Sequence, residues 1–389
     1  MNNTFKTILL SGMAAVTFAS CEKDNPSGTK GSPLDEQYKN ILAQYVDGTV
    51  VPTYKALAEA ALEMRTANNA LKDNPTDAAM KAASDAWMKA RIEWEKSEAF
   101  LFGPVGEDGF DIDGHIDSWP LELQEIQASI AAGSAATGAT MWSEYDSEVI
   151  GFHVTEYLLY RNGQPRPAAD LSVAELNYLT SATDALVWDC VLAYVAWAGE
   201  DNVSTDIKTV FRANQDVVDA LNDKAAFKNF AATLKNATGK YAGNFVAAIS
   251  EISDGAADIA GEVGATKIES PFTSGRVEDV ESWYSWHSLD DYQNNIHSIK
   301  NAYFGGIGLT APTGNSLSAF VAAKNAQLDA DIKGKIEDCL AKIAAIGAGG
   351  KSFYEVVRDH SNEDAVSAAV DACAELEGLF KRVSSSVIE

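Results

Sequence analysis

From residue 34 onward, apolar side chains recur every three to four positions, and hardly any stretch alternates with the period of two that a half-buried strand requires. A chain patterned this way buries its apolar stripes by packing helix on helix. Residues 34–72 predict one long helix, or two interrupted near Val51-Pro52, because proline removes a helix donor. Asn74-Pro75-Thr76-Asp77 is a restart signal, and residues 77–102 carry Ala, Met, Trp, Leu and Phe at helical spacing up to Gly103-Pro104. The stretch GPVGEDGFDIDGH, 103–115, is loop by composition. Further helices are expected at about 120–132 and 146–160, then at 172–199, 203–222, 226–262, 289–303, 315–345, 351–359 and 362–384. Short connections between such segments imply antiparallel packing. The linker RNGQPRPAAD, 161–170, has two prolines and a glycine, which places a boundary between an N-terminal bundle, 34–165, and a C-terminal bundle, 166–389. The expected fold class is all-α, two antiparallel helical bundles packed side by side.

Ahead of the helices, MNNTFKTILLSGMAAVTFAS has one lysine, an apolar stretch and small residues leading into Cys21. That is the layout of a secretion signal, residues 1–20, and Phe18-Ala19-Ser20-Cys21 resembles a lipobox in which Cys21 is acylated. Residues 21–33, polar and rich in Gly, Pro and Ser, read as a lipidated tether. The expectation is a cell-envelope protein touching the membrane through its lipid anchor alone. Without residues 1–20 the chain has 29 basic against 56 acidic side chains, a net charge of -27. Such a surface excludes nucleic acid as a partner and attracts cations or basic partners. Cys190, Cys339 and Cys373 are too few for a disulfide scaffold, although Cys339 and Cys373 lie in successive helical patterns where they could meet.

The densest chemistry sits in GFHVTEYLLY, 151–160. His153 and Glu156, at i and i+3, share a helix face within an apolar run. The pair alone is consistent with a metal site, with the acid and base of an enzyme, or with a polar detail of a helical core. A metal needs four to six donors, so partners must come from elsewhere. In WMKARIEWEKSEAFLFG, 87–103, Arg91, Glu95 and Glu98 share one face; Glu95 reads as a solvated ion-pair residue, whereas Glu98 precedes the most apolar turn. Asp111, Asp113, His115 and Asp117 cluster in the following loop but fail the calcium-loop pattern, and read as loop acidity around at most a local ion. Residues 281–306 interleave aromatic, hydroxyl, histidine and carboxylate side chains, with Ser288 or Asp290 placed to cap a helix. Zincin and inverzincin motifs and a serine-nucleophile elbow are absent from the sequence.

Taken together, AR-x-x-WE-x-SEAF-x-FG (90–103), the later SWP (118–120), Gly151-x-His153-x-x-Glu156 and the segment Ser285–Asp291 with NNIHSIKNAYFG resemble the imelysin family across nearly the whole mature chain. The resemblance implies a functional site where two bundles meet and a link to bacterial iron uptake. The expected ligand is then iron, another divalent metal or an iron carrier, and the expected partners are envelope uptake proteins. It also implies, as the rival reading, a metal-dependent peptidase in which His153 ligates zinc and Glu156 ligates it or polarises water. Carried over by position, the family's Gly-x-His-x-x-Glu falls on Gly151, His153 and Glu156, with His153 and Glu156 as metal ligands. Its SEAF glutamate falls on Glu98, with Arg91 two turns earlier. Its second signature falls on Tyr284, Ser285, Trp286, His287 and Ser288, with Asp291 beyond; all of these, with Arg91, Glu98 and Gly151, are the expected ligand-binding residues. Trp286 stands where the family has an aspartate and His287 where it has an asparagine, so one carboxylate is lost.

Overall fold

The computed structural model describes residues 32–133 and 136–388; the expected signal, Cys21 and nearly all of the tether lie outside the described residues. The first helix, Pro33–Tyr45, opens on a reciprocal cap in which Ser32 Oγ accepts the Asp35 N–H (3.0 Å) and Asp35 accepts the Ser32 N–H (2.9 Å). It runs without a break through a wide π-helical turn, Val46–Val50, into helix Val51–Asp73. Pro52 therefore does not interrupt the rod: the wider turn absorbs the donor that proline lacks. The restart at Thr76 is as expected, with its hydroxyl accepting the Ala79 N–H at the head of helix Asp77–Glu95.

Two groups of helices share one continuous apolar core. In the first, Val51–Asp73 packs against Asp77–Glu95 and against Val173–Ala198, and the short helix Gly151–Leu159 packs on both of the latter. In the second, Phe245–Gly261 and Ala326–Ile346 both pack on Glu363–Ser386. Helix Ser288–Phe304 bridges the groups, touching Asp77–Glu95 on one side and Phe245–Gly261 and Ala326–Ile346 on the other. Packing order departs from chain order at two places. Val173–Ala198, which follows the 161–170 linker, packs on elements that precede it, and Pro33–Tyr45 packs on Phe245–Gly261. Among the described residues Val173–Ala198 is also the one helix long and apolar enough to cross a bilayer, and most of it is buried inside the protein, as a core helix is.

Several expected elements are shorter than their periodicity suggested. Residues 203–222 form two helices, Thr205–Arg212 and Gln215–Asp223, because Asn214 turns its side chain onto the Asp216 N–H and starts a new helix. Residues 226–262 split into Phe230–Lys235 and Phe245–Gly261 around a turn holding Gly239 and Gly243, both at positive φ. Phe245–Gly261 then continues as a second π-helical stretch, Glu262–Glu269, ahead of Pro271. The 161–170 linker is packed rather than loose. It forms a two-residue hairpin, Tyr160–Arg161 with Gln164–Pro165, whose Gly163 N–H donates to the Tyr284 carbonyl (2.9 Å). Cys190, Cys339 and Cys373 are free and buried, and the Cys339 and Cys373 thiols meet between two packed helices.

Candidate functional site

The site grows from the last turns of helix Asp77–Glu95. Trp87 and Trp94 fix that helix in the core, and the i, i+4 spacing puts Arg91 and Glu95 together on the face turned toward the bridging helix. Both are fully buried, so Glu95 is not the solvated surface residue its sequence context suggested. The guanidinium of Arg91 pairs with four carboxylates drawn from across the chain: Glu95, Asp117, Glu281 (2.5 Å) and Asp291 (3.3 Å). A buried cation needs this company, since a lone one would lose its hydration with nothing in return.

Asp117 arrives from the acidic stretch that composition assigned to loop. Residues Ile112–Ile116 instead make a short helix, whose C-cap is Asp117. Trp94 Nε1 donates to Asp117 Oδ2 (2.7 Å). Gly151 explains how this segment comes so close to the His153 helix: its φ is +83°, and a Cβ there would stand 2.4 Å from the Ile116 carbonyl oxygen. Only glycine meets both demands. The close approach sets His153 Nε2 3.0 Å from Asp117 Oδ1, though without the alignment of a hydrogen bond, and 3.8 Å from Glu281 Oε1. On the other side of the ring, Nδ1 lies 3.1 Å from Glu156 Oε2. Trp119 meets the imidazole edge to face, with ring centres 4.9 Å apart.

Glu156 is the most fully committed carboxylate here. Its Oε1 accepts both the N–H (2.8 Å) and the hydroxyl (2.7 Å) of Ser285, across 129 positions of chain. The loop that delivers Ser285 is bent sharply, with Ser282 and Trp286 both at positive φ. Such backbone is uncommon for residues with side chains and is held here by its bonds. Ser282 Oγ donates to Asp291 Oδ2 (2.6 Å), and Ser288 Oγ donates to the Glu281 carbonyl (2.5 Å). Ser288 thus braces the loop instead of capping the helix that follows it, and Asp290 bonds His287.

The remaining cation comes from the second π-helical stretch. Lys267 Nζ reaches Glu281 Oε2 at 3.0 Å and Glu262 at 3.8 Å. Glu98, one short turn beyond Glu95, sits where Ser298 Oγ accepts the Ala99 N–H (3.0 Å) and pins the SEAF segment to the bridging helix. Glu98 is 5% exposed and its Oε1 has no partner. It lines a cavity of about 210 Å³ together with Asp113, Asp117, Glu262, Lys267 and Glu281, with Trp119 on the wall.

Electrostatics follow from this crowding. Burial pushes Glu95 and Glu98 well above the usual carboxylate range, and pushes Asp113 up to about 7 and Asp291 to about 6. For Asp117 and Glu281 burial acts the same way but is outweighed by adjacent cations, chiefly Arg91 for Asp117 and Lys267 for Glu281, so both stay ionised below that range. Burial and Arg91 would lower His153; the adjacent Asp117 and Glu156 carboxylates outweigh them and raise it to about 9. The imidazole is therefore a cation at neutral pH in this arrangement.

Among the residues expected at the site, the structure brings Arg91, Glu98, Gly151, His153, Glu156, Tyr284, Ser285 and Asp291 into one neighbourhood. Tyr284 packs its ring on Trp119. Trp286 does not face the cavity: it covers Gly163 and stacks on Tyr354. His287 pairs with Asp290 and abuts Tyr160. The positions of the missing family aspartate and asparagine thus point away from the carboxylate cluster, which is built from other residues. Glu281 and Lys267 were not singled out by sequence reasoning as site residues, and Asp117 stood out only as part of loop acidity around at most a local ion. The usable signals were an aspartate immediately before the SWP tripeptide and a lysine beside Ile268.

Three groups of carboxylates and imidazole have ligand atoms mutually within 4.8 Å: Asp117 with His153 and Glu281, Glu95 with Glu98 and Asp117, and Glu95 with Glu281 and Asp291. In all three, Arg91 already pairs with at least two of the carboxylates, and in the first His153 must also shed a proton before it can ligate. The second contains Glu98, whose free oxygen borders open space. An oxygen-rich set of this kind fits a hard cation.

A family model described as Imelysin matches residues 50–380. The iron-regulated protein A of Synechococcus elongatus is 27% identical over 261 residues, 67% of this chain; the chain spans about 63% of that relative's length. A crystal structure described as an iron-regulated protein A precursor from Parabacteroides distasonis superposes with a TM-score of 0.77 at 30% identity, covering 93% of this chain and 98% of that one. An imelysin-like protein from Psychrobacter arcticum has the same fold, with a TM-score of 0.61 at 15% identity over 89% of this chain and 94% of that one. A match spanning residues 50–380, on a helical fold shared at 30% identity over 93% of this chain, means that this chain belongs to the imelysin family.

Proposed function

We propose that this protein is a lipid-anchored binding protein of the cell envelope that serves iron acquisition, taking a hard cation, or an iron carrier presenting one, in the cavity bordered by Glu98. The observation that carries this reading is the Glu98 oxygen, buried and without a partner on the wall of an acidic cavity. A buried acceptor in want of a donor favours a ligand that supplies positive charge. Glu98, Asp117 and Glu95 would hold a metal; bound there, it would supply the positive charge that the carboxylates lack. Arg91 and Lys267 keep Asp117 and Glu281 ionised and fixed. His153 and Glu156 hold the Asp117 segment against Ser285, so the motif acts as the brace of the cavity.

Names borne by the relatives, iron-regulated protein A and its precursor, support the link to iron. The lipobox-like Cys21 supports the anchor. The rival peptidase reading needs Glu156 to ligate or to face an activated water. Glu156 is fully buried, its carboxylate is taken up by Ser285 and His153, and it does not border the cavity, which favours binding over hydrolysis.

Calorimetric titration with ferrous, ferric-citrate, zinc and cupric ions on the wild type, Glu98→Gln and His153→Ala tests the proposal. We expect Glu98→Gln to weaken iron binding at least tenfold while remaining folded, and His153→Ala to weaken it less. Equal heats for the wild type and Glu98→Gln would remove the cavity from consideration.

A further inference from the structure

The cavity is not the end of the open space. Glu98, Asp113 and Glu262 border it and also border an outer groove of about 640 Å³. One wall of that groove is helix Phe245–Gly261 with the start of its π-helical extension. Glu251, Asp254, Asp258 and Glu262 stand there at i, i+3, i+7 and i+11, a row along one face with successive carboxylates about one 5.4 Å pitch apart. The row is poorly neutralised. Glu251 has Lys240 at 2.7 Å and Glu262 has Lys267 at 3.8 Å, but among the described residues Asp254 and Asp258 have no basic side chain within ion-pair distance. Asp254 accepts a bond from Ser384 (2.6 Å), and burial with the Asp254 charge raises Asp258. Leu101, Phe102 and Ile259 supply apolar surface to the groove, and Glu107, Asp111 and Asp113 line it as well. At its inner end stands the unpartnered, buried oxygen of Glu98.

Spacing decides what chemistry fits. Among the described residues the carboxylates that converge closely enough to chelate a bare ion all lie in the inner cluster; those of the outer row do not converge. A row of anions one helical pitch apart over an apolar floor is matched by ammonium groups joined by short aliphatic spacers, whose methylenes lie on the floor while each charge meets a carboxylate. The groove volume is that of a small organic ligand.

We propose that this groove is a second binding site, for an extended aliphatic oligoamine with ammonium groups three or four methylenes apart, its innermost ammonium meeting Glu98. Lysine side chains of a peptide carry ammonium groups too, but joined through the backbone and not through three or four methylenes. Glu98 borders both spaces, so a cation held there and the innermost ammonium would exclude each other, whereas Asp254 and Asp258 border the groove alone.

Isothermal titration of the full protein with spermidine, with trilysine and with magnesium chloride at matched ionic strength tests this, on the wild type and on the exposed double variant Asp254→Asn/Asp258→Asn. We expect spermidine to bind the wild type and raise its Tm, to bind the double variant at least tenfold more weakly, and to outcompete magnesium. Trilysine, whose ammonium groups are not joined by short methylene spacers, should bind more weakly, and binding as tight as spermidine would overturn the spacing argument. No spermidine heat, an unchanged affinity in the double variant, or full displacement by magnesium at equal ionic strength would overturn the proposal. An iron titration of the double variant that matches the wild type separates this site from the inner one, and unchanged far-ultraviolet circular dichroism certifies the fold.

Discussion

Replacing Arg91 by methionine is the sharpest probe of how this molecule holds its buried acids. The substitution keeps most of the side-chain volume and removes the one cation that touches Glu95, Asp117, Glu281 and Asp291 together. Burial already drives Glu95 and Asp291 toward the protonated form, so the loss falls on Asp117 and Glu281, which Arg91 helps to keep ionised. Breaking a buried ion pair by removing one partner costs about 3–5 kcal/mol. Unfolding roughly 350 ordered residues changes entropy by about 0.7 kcal/mol/K, so the variant should melt about 4–7 °C below the wild type. The deficit also has a pH signature. Without Arg91 the folded-state pKa values of Asp117 and Glu281 rise, and a group whose folded pKa is raised adds stability at low pH and loses it as pH climbs through that value. The deficit should therefore be larger at pH 8 than at pH 5, measured by calorimetry or denaturant titration at both. A variant that melts within 1 °C of the wild type, or whose deficit is the same at both pH values, would refute the claim that Arg91 neutralises this cluster.

Two further outcomes are expected. Gly151→Ala should cost at least about 2 kcal/mol, from a left-handed backbone and a Cβ driven against the Ile116 carbonyl, and should weaken cation binding by moving Asp117; denaturant unfolding and the same titrations read both. His153, raised from its usual 6.5 to about 9 among Asp117, Glu156, Glu281 and Arg91, contributes stability that is fully present below pH 6.5 and is lost as pH rises to 9; imidazole NMR resonances that titrate near 6.5 in the folded protein would contradict this.

What the sequence revealed, and what it did not, divides along physical lines. Long periodic segments and a strong cap such as Thr76 identify helices, because local bonds there decide the outcome. Pro52 misleads, since a single widened turn accommodates it at no visible loss of continuity. Arg91, Glu98, His153 and Glu156 stand out because charge inside an apolar run demands a partner. The partners themselves were harder to see. Asp117 lies in a stretch whose glycines and acids read as loop, Glu281 opens a bent segment without periodicity, and Lys267 sits in a π-helical stretch that breaks the 3.6-residue pattern. Trp286 and His287 erred in the other direction: sequence proximity to Ser285 placed them at the site, while positive φ at Trp286 turns the chain so that its ring covers Gly163 instead.

The π-helical stretch Glu262–Glu269 has a bearing on how the cluster tolerates change. An ordinary α-helix advances about 100° per residue, so trimming one residue from this widened coil would swing Lys267 a quarter-turn or more about the axis. Its ammonium would leave Glu281, and with it one of the positive charges that, with Arg91 and the His153 imidazolium, offset the buried acids. Insertions and deletions are usually best endured in loops; here a length change within a helix would act directly on the charge balance of the cavity.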